Sequence, residues 1–579
     1  MELTLQQKAV LDKNGLFVVK ACPGSGKTLV VAARFAKLLS DWRKPHQGIA
    51  VISFTNTAWR EVESTLQKEY RIQMPIKYPH FLGTIDSFIS KYLFLPFGHH
   101  VMKCDSRPEM KGPPHDNDEP IGRWLWWGKG NAECNQKGCR LNDFSYDENG
   151  TLINLAPISH FSNCTLNHSV CACLKNKFNK MGYATQADAN YYALKLLQTN
   201  ASLAKALAIR FPEVMVDEAQ DTSRIQMTII DLLVANGLQE LMLVGDPDQA
   251  IFEWRNAEPA LLTAKYNTWQ SNSLILTENW RSSQNICTFA SKISSLSIPM
   301  QAANPAVKSH QAVPKFVAYT TPSELPTLMT DFCNDCDNDG IPANSITVLT
   351  RSAEFLNALV PFTVEKHLPA LPWKGDDQIS HVIARAKYLY DHGAYAEALR
   401  SLEWAAFRLH TGKSHIDFET RNQIIAVKGL PRWRAELFDY LVSLPDTATT
   451  LGDWATKSMA SRPTTGMFSQ QQFVIKRSSP QRNYAILPFD DIFAAPQPVN
   501  NQSRFLGTVH SAKGTTCDAV FLAVKSKAAR SGSYATILQA GINSSEELRI
   551  VYVAITRPRK RLCIAVPQSD LATWQQRFS

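Results

Sequence analysis

The run Ala21-Cys22-Pro23-Gly24-Ser25-Gly26-Lys27-Thr28 has the residue types that hold a phosphate chain. Glycines let backbone N–H groups turn inward around an anion, and the N-terminus of a following helix adds its positive dipole end. Lys27 would reach the β- and γ-phosphates, and the Thr28 hydroxyl would ligate Mg²⁺. A second run, Val214-Met215-Val216, leads into Asp217-Glu218-Ala219-Gln220-Asp221. An acidic pair at the tip of an apolar strand suits a metal carboxylate, Asp217, followed by a general base for water, Glu218. Together the two runs predict ATP hydrolysis with Mg²⁺ as the metal.

Those side chains need strands and helices to place them. Short apolar, β-branched runs recur at Leu16 to Lys20, Ile49 to Phe54, Val214 to Val216, Leu241 to Val244, Ser273 to Leu276, Ser345 to Leu349, Ala519 to Val524 and Leu562 to Val566. Each of the first seven precedes a turn and a plausible helix, such as Leu29 to Leu39 after the phosphate loop. That rhythm predicts buried parallel strands in an α/β fold, covered by helices on both faces. Two stretches break it. Residues 90–205 hold Pro, His, Trp and Cys clusters, and residues 370–500 read as largely helical, then polar and Pro-rich. Both read as insertions into α/β domains.

The chain has 579 residues, 44% of them apolar and 20% charged, with a net charge of +9. This is ordinary globular composition, which excludes a disordered, collagen-like or coiled-coil chain. The charge permits phosphate-backbone contact without demanding it. No stretch approaches the ~18 apolar residues of a membrane span. The N-terminus lacks a signal-peptide pattern, and 12 Cys in this length is no disulfide scaffold. The expectation is a soluble, cytoplasmic protein with no membrane partner.

In this order along the chain, a series of short blocks resembles superfamily 1 helicases of the UvrD/Rep/PcrA type. Leu3-Thr4 with Gln7 resembles the adenine-reading glutamine motif, with Gln6 as the alternative. Phe54 to Glu61 and Gly83 to Phe88 are similar to two single-strand-contacting motifs, the second with Asp86 where His is usual. Asp217 to Asp221 with Gln226 resembles the Mg²⁺ motif, Val244 to Arg255 the third and Leu276 to Ser282 the fourth. Val348 to Ser352, Gly507 to Gly514, and Glu547 to Arg549 with Tyr552 to Arg557 complete the series.

The resemblance implies two RecA-like parallel-sheet domains with ATP between them. The first comprises residues 1–89 and 206–272, interrupted by a Cys-rich insertion at 90–205. The second comprises 273–370 and 501–579, interrupted by a helical insertion at 371–500. Lys27, Glu218, Gln249, Arg281 and Arg557 are then catalytic, the two arginines clamping the transferring phosphoryl group. Gln7, Ala21, Cys22, Pro23, Gly24, Ser25, Gly26, Lys27, Thr28, Trp280, Arg281, Gly514 and Arg557 hold the nucleotide. Thr28 and Asp217 hold Mg²⁺, and Asn56, Thr84, Ser87, Phe252, Trp254 and His510 contact DNA. Leu29 replaces an Arg that often packs on adenine, and Thr515-Thr516 replace an acidic residue, so looser base discrimination is expected. Arg351 reads as a structural residue.

The function so implied is an ATP-dependent DNA translocase and helicase, 3′ to 5′ on single-stranded or tailed DNA. The alternative is a DNA-sensing regulatory ATPase that controls a partner nuclease. Phe81 to Ser90 followed by Leu93 to His99 resembles the helicase-like subunit of Gabija anti-phage systems, whose partner is an OLD-type nuclease. In the insertion, Cys134, Cys139, Cys164, Cys171 and Cys173, with His160 and His168, have zinc-ligand chemistry. Their spacing lacks paired Cys-x₂-Cys knuckles, so buried thiols are the expectation and zinc the alternative. Cys333 and Cys336 form one lone Cys-x₂-Cys.

Overall fold

The computed structural model describes residues 3–105, 107–111, 144–154, 169–251, 257–351, 355, 359, 372–411, 424–425, 427–476, 484–493, 505–528 and 532–579. They divide into two compact units. The larger holds two large parallel sheets, beside smaller two-stranded ones, and comprises residues 1–117, 131–364 and 500–579. The smaller comprises 118–130 and 365–499.

Strands β1 (Leu16–Ala21), β2 (Ile49–Ser53), β3 (Phe81–Thr84), β4 (Glu213–Asp217), β5 (Glu240–Gly245) and β6 (Leu274–Leu276) form the first sheet. Their order is β6-β1-β5-β4-β2-β3, and every pairing is parallel. Alternate residues enter different cores. Val19, Ala21, Val51, Met215 and Met242 share one face with helix α1 (Leu5–Leu11) and α2 (Lys27–Asp41), through Val10, Val30 and Phe35. Val18, Ala50, Ile52, Val214, Val216 and Leu243 share the other with the helix Gln186–Thr199. Burial on both faces explains why these strands read as continuous apolar runs.

The second sheet contains β7 (Lys315–Tyr319), β8 (Ile346–Thr350), β9 (Phe505–Thr508), β10 (Cys517–Ala523) and β11 (Pro558–Pro567). It is also wholly parallel, in the order β7-β11-β10-β8-β9. Val520, Leu522 and Ile564 pack on one face, and Phe521, Ala523 and Cys563 on the other. This is a two-domain RecA-like architecture.

One boundary differs from the sequence reading. Ser273 to Leu276 was assigned there to the second domain, yet β6 pairs with β1 and Cys22 N–H donates to Leu276 O at 2.9 Å. Three apolar residues satisfy the open edge of the first sheet, so the chain leaves that sheet only after Leu276. The segment that follows must therefore cross directly in front of the phosphate loop.

The smaller unit is helical, with Gln378–Asp391, Tyr395–Thr411, Leu430–Ser443 and Leu451–Ala460 around Trp373, Trp433 and Trp454. Phe407 stacks on Trp433 with ring centroids 5.0 Å apart. Cys333 and Cys336 lie one turn apart on the helix Leu325–Asn338 and face the second sheet's core, which accounts for their spacing without a metal. Cys134, Cys139, Cys164, His160 and His168 lie outside the described residues, as does the side chain of Cys171, while Cys173 is exposed. The described residues contain no cluster of His, Cys, Asp or Glu with metal-ligand geometry, and none of their helices is long and apolar enough to cross a membrane.

Candidate active site

Chemistry-bearing residues collect at the carboxyl ends of β1, β4 and β5, where open parallel sheets place their ligands. β1 ends at Ala21, and Cys22 and Ser25 turn the chain, with Ser25 Oγ donating to Cys22 O at 2.8 Å. Gly24 and Gly26 have φ of +71° and +79°, the left-handed region that glycine enters without strain. A Cβ on Gly24 would also sit 2.7 Å from the Cβ of Arg281, so the loop and the crossing segment fit only because this residue is glycine. Gly26 caps α2 with no side chain, leaving the helix's first amides to an anion.

Gln7 is buried against this loop. Its Nε2 donates to Ser25 O at 2.9 Å and its Oε1 accepts from Thr4 N–H at 3.1 Å, in a reciprocal capping box that starts α1. Gln6 is likewise engaged, with both amide atoms on Thr277. The structure thus uses Gln7 to brace the phosphate loop and Gln6 to tie α1 to the crossing segment. Replacing Gln7 by Ala is expected to lower ATP and GTP turnover by the same factor. Steady-state rates with both nucleotides check this; a loss confined to ATP would instead show Gln7 reading adenine, as the motif resemblance implies.

Asp217 ends β4, is 1% exposed, and accepts from Thr28 Oγ1 at 3.4 Å. Burial, and then the neighbouring Glu218 carboxylate, push its carboxyl up to about 7. Asp246, after β5, is fully buried and also pushed up to about 7, by burial first. The Lys27 ammonium offsets only part of this cost for Asp217 and Asp246, and the Thr28 hydroxyl beside Asp217 completes a ligand pair that fits a divalent cation. Glu218 stands at φ +54°. Burial raises its pKa, but Lys27 and then Lys513 outweigh that and hold it below the ordinary carboxylate value.

The opposing wall comes from the second sheet's lobe. Arg557 follows the helix Glu546–Ile555 and is 2% exposed. Its Nε donates to Val553 O at 2.9 Å, and an Nη donates to Gln249 Oε1 at 2.8 Å across the cleft. Burial and then Arg281 lower its guanidinium to about 9. Arg281 donates to Thr556 O at 3.1 Å, while Asn279 Oδ1 accepts from the backbone N–H of Arg281 and Ser282. Trp280 N–H bonds Gly24 O at 2.9 Å, and the indole remains 41% exposed, open to a flat ring. Gly24, Gly26, Lys27, Thr28, Glu218, Gln249, Trp280, Arg281, Gly514 and Arg557 all line one cleft of about 590 Å³.

Among the proposed DNA contacts, Thr84 and Ser87 share an exposed turn at the tip of β3. Thr84 Oγ1 accepts from Ser87 N–H at 3.1 Å, and Ser87 Oγ donates to Thr84 O at 2.7 Å. Asp86 accepts from Asn190 and Gln226, which explains an acid where His is usual: the half-buried Asn190 and the buried Gln226 amides need an acceptor there. Asn56 is exposed and accepts from Trp59 Nε1, while Thr55 performs the capping. His510 is half-buried and hydrogen-bonded to the Ile251 backbone, and Ser511 beside it is exposed. Arg351 makes a bidentate pair with Glu547 at 2.7 and 3.0 Å. Phe252 and Trp254 lie outside the described residues.

The motif reading assigns no role to Gln220, Asp221, Asp246, Asn279 or Lys513, although all five sit in blocks where neighbours are assigned. Lys513 Nζ meets Asp221 Oδ2 at 2.6 Å across 292 positions of sequence, a distance no local pattern could bridge.

A phosphate loop and acidic pair on one sheet, faced by the Arg557 guanidinium immediately before a strand of another and by Arg281 on the segment crossing between them, define a two-lobed P-loop protein of RecA-like fold. Residues 3–108 and 148–270 match the UvrD/REP helicase N-terminal domain, and residues 497–569 match the UvrD-like helicase C-terminal domain. The chain belongs to the UvrD/REP helicase family. It is 27% identical over 304 residues to a probable DNA helicase II homolog of Mycoplasma genitalium, covering 50% of this chain and 42% of that protein. A probable DNA helicase II homolog of Mycoplasma pneumoniae is 23% identical, over 96% of this chain and 82% of its own length. DNA helicase II of Haemophilus influenzae is 24% identical, covering 50% of this chain and 39% of the relative. Against the first and third of these, the chain spans only about two-fifths of the relative's length. The family implies ATP, and usually Mg²⁺.

Proposed function

We propose that the chain is an ATP-dependent DNA helicase that translocates 3′ to 5′ along single-stranded DNA. One observation carries the DNA part of this reading. The two sheets end at their outer edges in the same four residues, Phe81-Leu82-Gly83-Thr84 in β3 and Phe505-Leu506-Gly507-Thr508 in β9. Each strand runs into the same turn: Ser511 N–H donates to Thr508 Oγ1 at 3.3 Å and Ser511 Oγ to Thr508 O at 2.7 Å, repeating Thr84 and Ser87. A threonine oxygen that accepts a backbone N–H keeps its own proton to donate; in Thr508 that proton rests on Ser511 Oγ at 3.4 Å, a long contact that a phosphate oxygen would displace. Two such turns, one per lobe, suit two phosphates of one strand, and phosphate contacts position a chain without reading its sequence.

ATP would enter the cleft with its triphosphate on the loop amides and Lys27, and its base against Trp280. Bound at Thr28 and Asp217, Mg²⁺ would neutralise phosphate charge. Glu218, unprotonated at neutral pH, accepts a proton from the attacking water. Arg281 and Arg557 stabilise the charge that develops on the transferring group. Because they stand on the far wall, the triphosphate draws the lobes together and its loss releases them. Two grips on one strand, moved alternately by that cycle, become translocation.

Thr84→Ala and Thr508→Ala should each cost about 1.5–3 kcal/mol of strand affinity, a hydrogen bond to a charged group. The loss should be equal for oligo-dT and oligo-dA in fluorescence anisotropy, with melting temperature as the folding control. A sequence-selective loss would refute the phosphate assignment.

The function itself is tested by strand displacement on a 3′-tailed duplex. Displacement that needs ATP and the 3′ tail is expected, and displacement from a 5′ tail alone would refute the direction. A regulatory subunit beside an OLD-type nuclease would show weak displacement alone. Its sequence basis offers no support for such a partner: Phe88, Leu93 and Phe94 are buried in the lobe's own core.

A further inference from the structure

The acidic run after β4 contains more than the metal ligand and the base. Asp221 is 1% exposed, and its Oδ2 receives Lys513 Nζ at 2.6 Å and Gln220 Nε2 at 3.2 Å. Its Oδ1 has no hydrogen-bond partner among the described residues. Lys513 comes from the other lobe, so the counter-charge of this buried carboxylate arrives only when the lobes meet. The same Gln220 Nε2 also donates to Glu218 Oε2. The other end of the Gln220 amide is anchored separately, its Oε1 accepting from Asp246 N–H at 3.1 Å, and it lies so close to Gly245 that a Cβ there would stand 2.4 Å from that oxygen.

Lys513 has a second connection. It directly follows the short turn His510–Ala512, which carries exposed Ser511 and opens from Thr508. The grip proposed for the strand in the second lobe is thus continuous in sequence with the ammonium that neutralises Asp221.

We infer that the Lys513–Asp221 ion pair, relayed by Gln220, positions the general base Glu218 in response to the strand held at Thr508 and Ser511. With Lys513 in place, Asp221 stays ionised and holds one hydrogen of the Gln220 amide while the other points Glu218 toward the cleft. With Lys513 withdrawn, a buried carboxylate lacking its partner takes up a proton, and the neutral carboxyl is a weaker acceptor for the Gln220 amide, so Glu218 is oriented less firmly. Asp221 and Lys513 are positioning residues in this account, which rests on the helicase reading above.

The test uses the full chain as wild type, Asp221→Asn, Lys513→Met, Lys513→Arg and the Asp221→Asn/Lys513→Met double variant. Turnover and KM for ATP are measured with and without saturating oligo-dT, together with oligo-dT affinity. Asp221→Asn and Lys513→Met should each shrink the strand-stimulated turnover by roughly 5–150-fold, the usual range of coupling between sites. KM and oligo-dT affinity should stay at wild-type values, the double variant should be no worse than the weaker single, and Lys513→Arg should recover part of the loss. Full stimulation in Asp221→Asn overturns the relay, as does additivity in the double variant or a rise in KM at intact turnover, either of which would put Lys513 on the nucleotide. A wild-type chain whose hydrolysis ignores oligo-dT overturns the relay and the helicase reading together; wild-type stimulation with unaffected variants overturns the relay alone.

Discussion

Glu218→Gln should lower ATP turnover by about 10²–10⁴-fold, the usual contribution of a positioned general base. The substitution keeps the size of the side chain and an oxygen for Gln220 to bond, but it cannot accept a proton from water. Nucleotide affinity should persist or rise. The charge lost is the one that, after burial, most raises Asp217. Relieving that repulsion makes the cation site more fully ionised. Single-turnover hydrolysis beside equilibrium binding of a fluorescent ATP analogue separates the two effects. Turnover within about tenfold of wild type, below the range expected of a base, would remove Glu218 from the chemistry.

Arg557→Ala should cost about 10³–10⁵ in turnover, the range of an arginine that stabilises a phosphoryl transition state. Its guanidinium is already oriented, with Nε on Val553 O and an Nη on Gln249 Oε1. Little ordering remains to be done when the triphosphate arrives. Because the side chain is 2% exposed, its truncation also leaves a void and takes the Arg557 donor from Gln249 Oε1. Arg557→Lys controls for this, since it fills the space and keeps the charge while losing the planar fork. Both variants should bind ATP, and Lys should recover only a minor part of the rate. Normal turnover in a folded Arg557→Ala protein would remove the finger from the second lobe.

The strands read most easily from sequence were those buried on both faces. β1, β2, β4, β5, β8, β10 and the Leu562–Val566 part of β11 are largely apolar because helices cover each side. β3 and β9 escaped because they are four-residue edge strands ending in Gly-Thr, and β7 because most of its residues are only partly buried. The phosphate loop, the acidic pair and the two arginines were legible because their residue types have few other uses at those spacings. Gln7 is instructive in the opposite sense. Thr4-x-x-Gln7 has capping-box spacing, a local helix-start signal that the motif resemblance alone leaves unused. What it packs on, the carbonyl of Ser25, could be known only from the fold. Lys513 and Asp221 lay in quoted blocks, yet their partnership depends on two sheets meeting, which spacing along one chain does not encode.

The account rests on a nucleotide walled by both lobes and a strand held by both. ATP hydrolysis by the purified full chain, with and without saturating single-stranded oligonucleotide, tests this most directly. The predicted result is turnover that rises steeply with the strand, equally for any base composition. Equal turnover in its presence and absence would contradict the account.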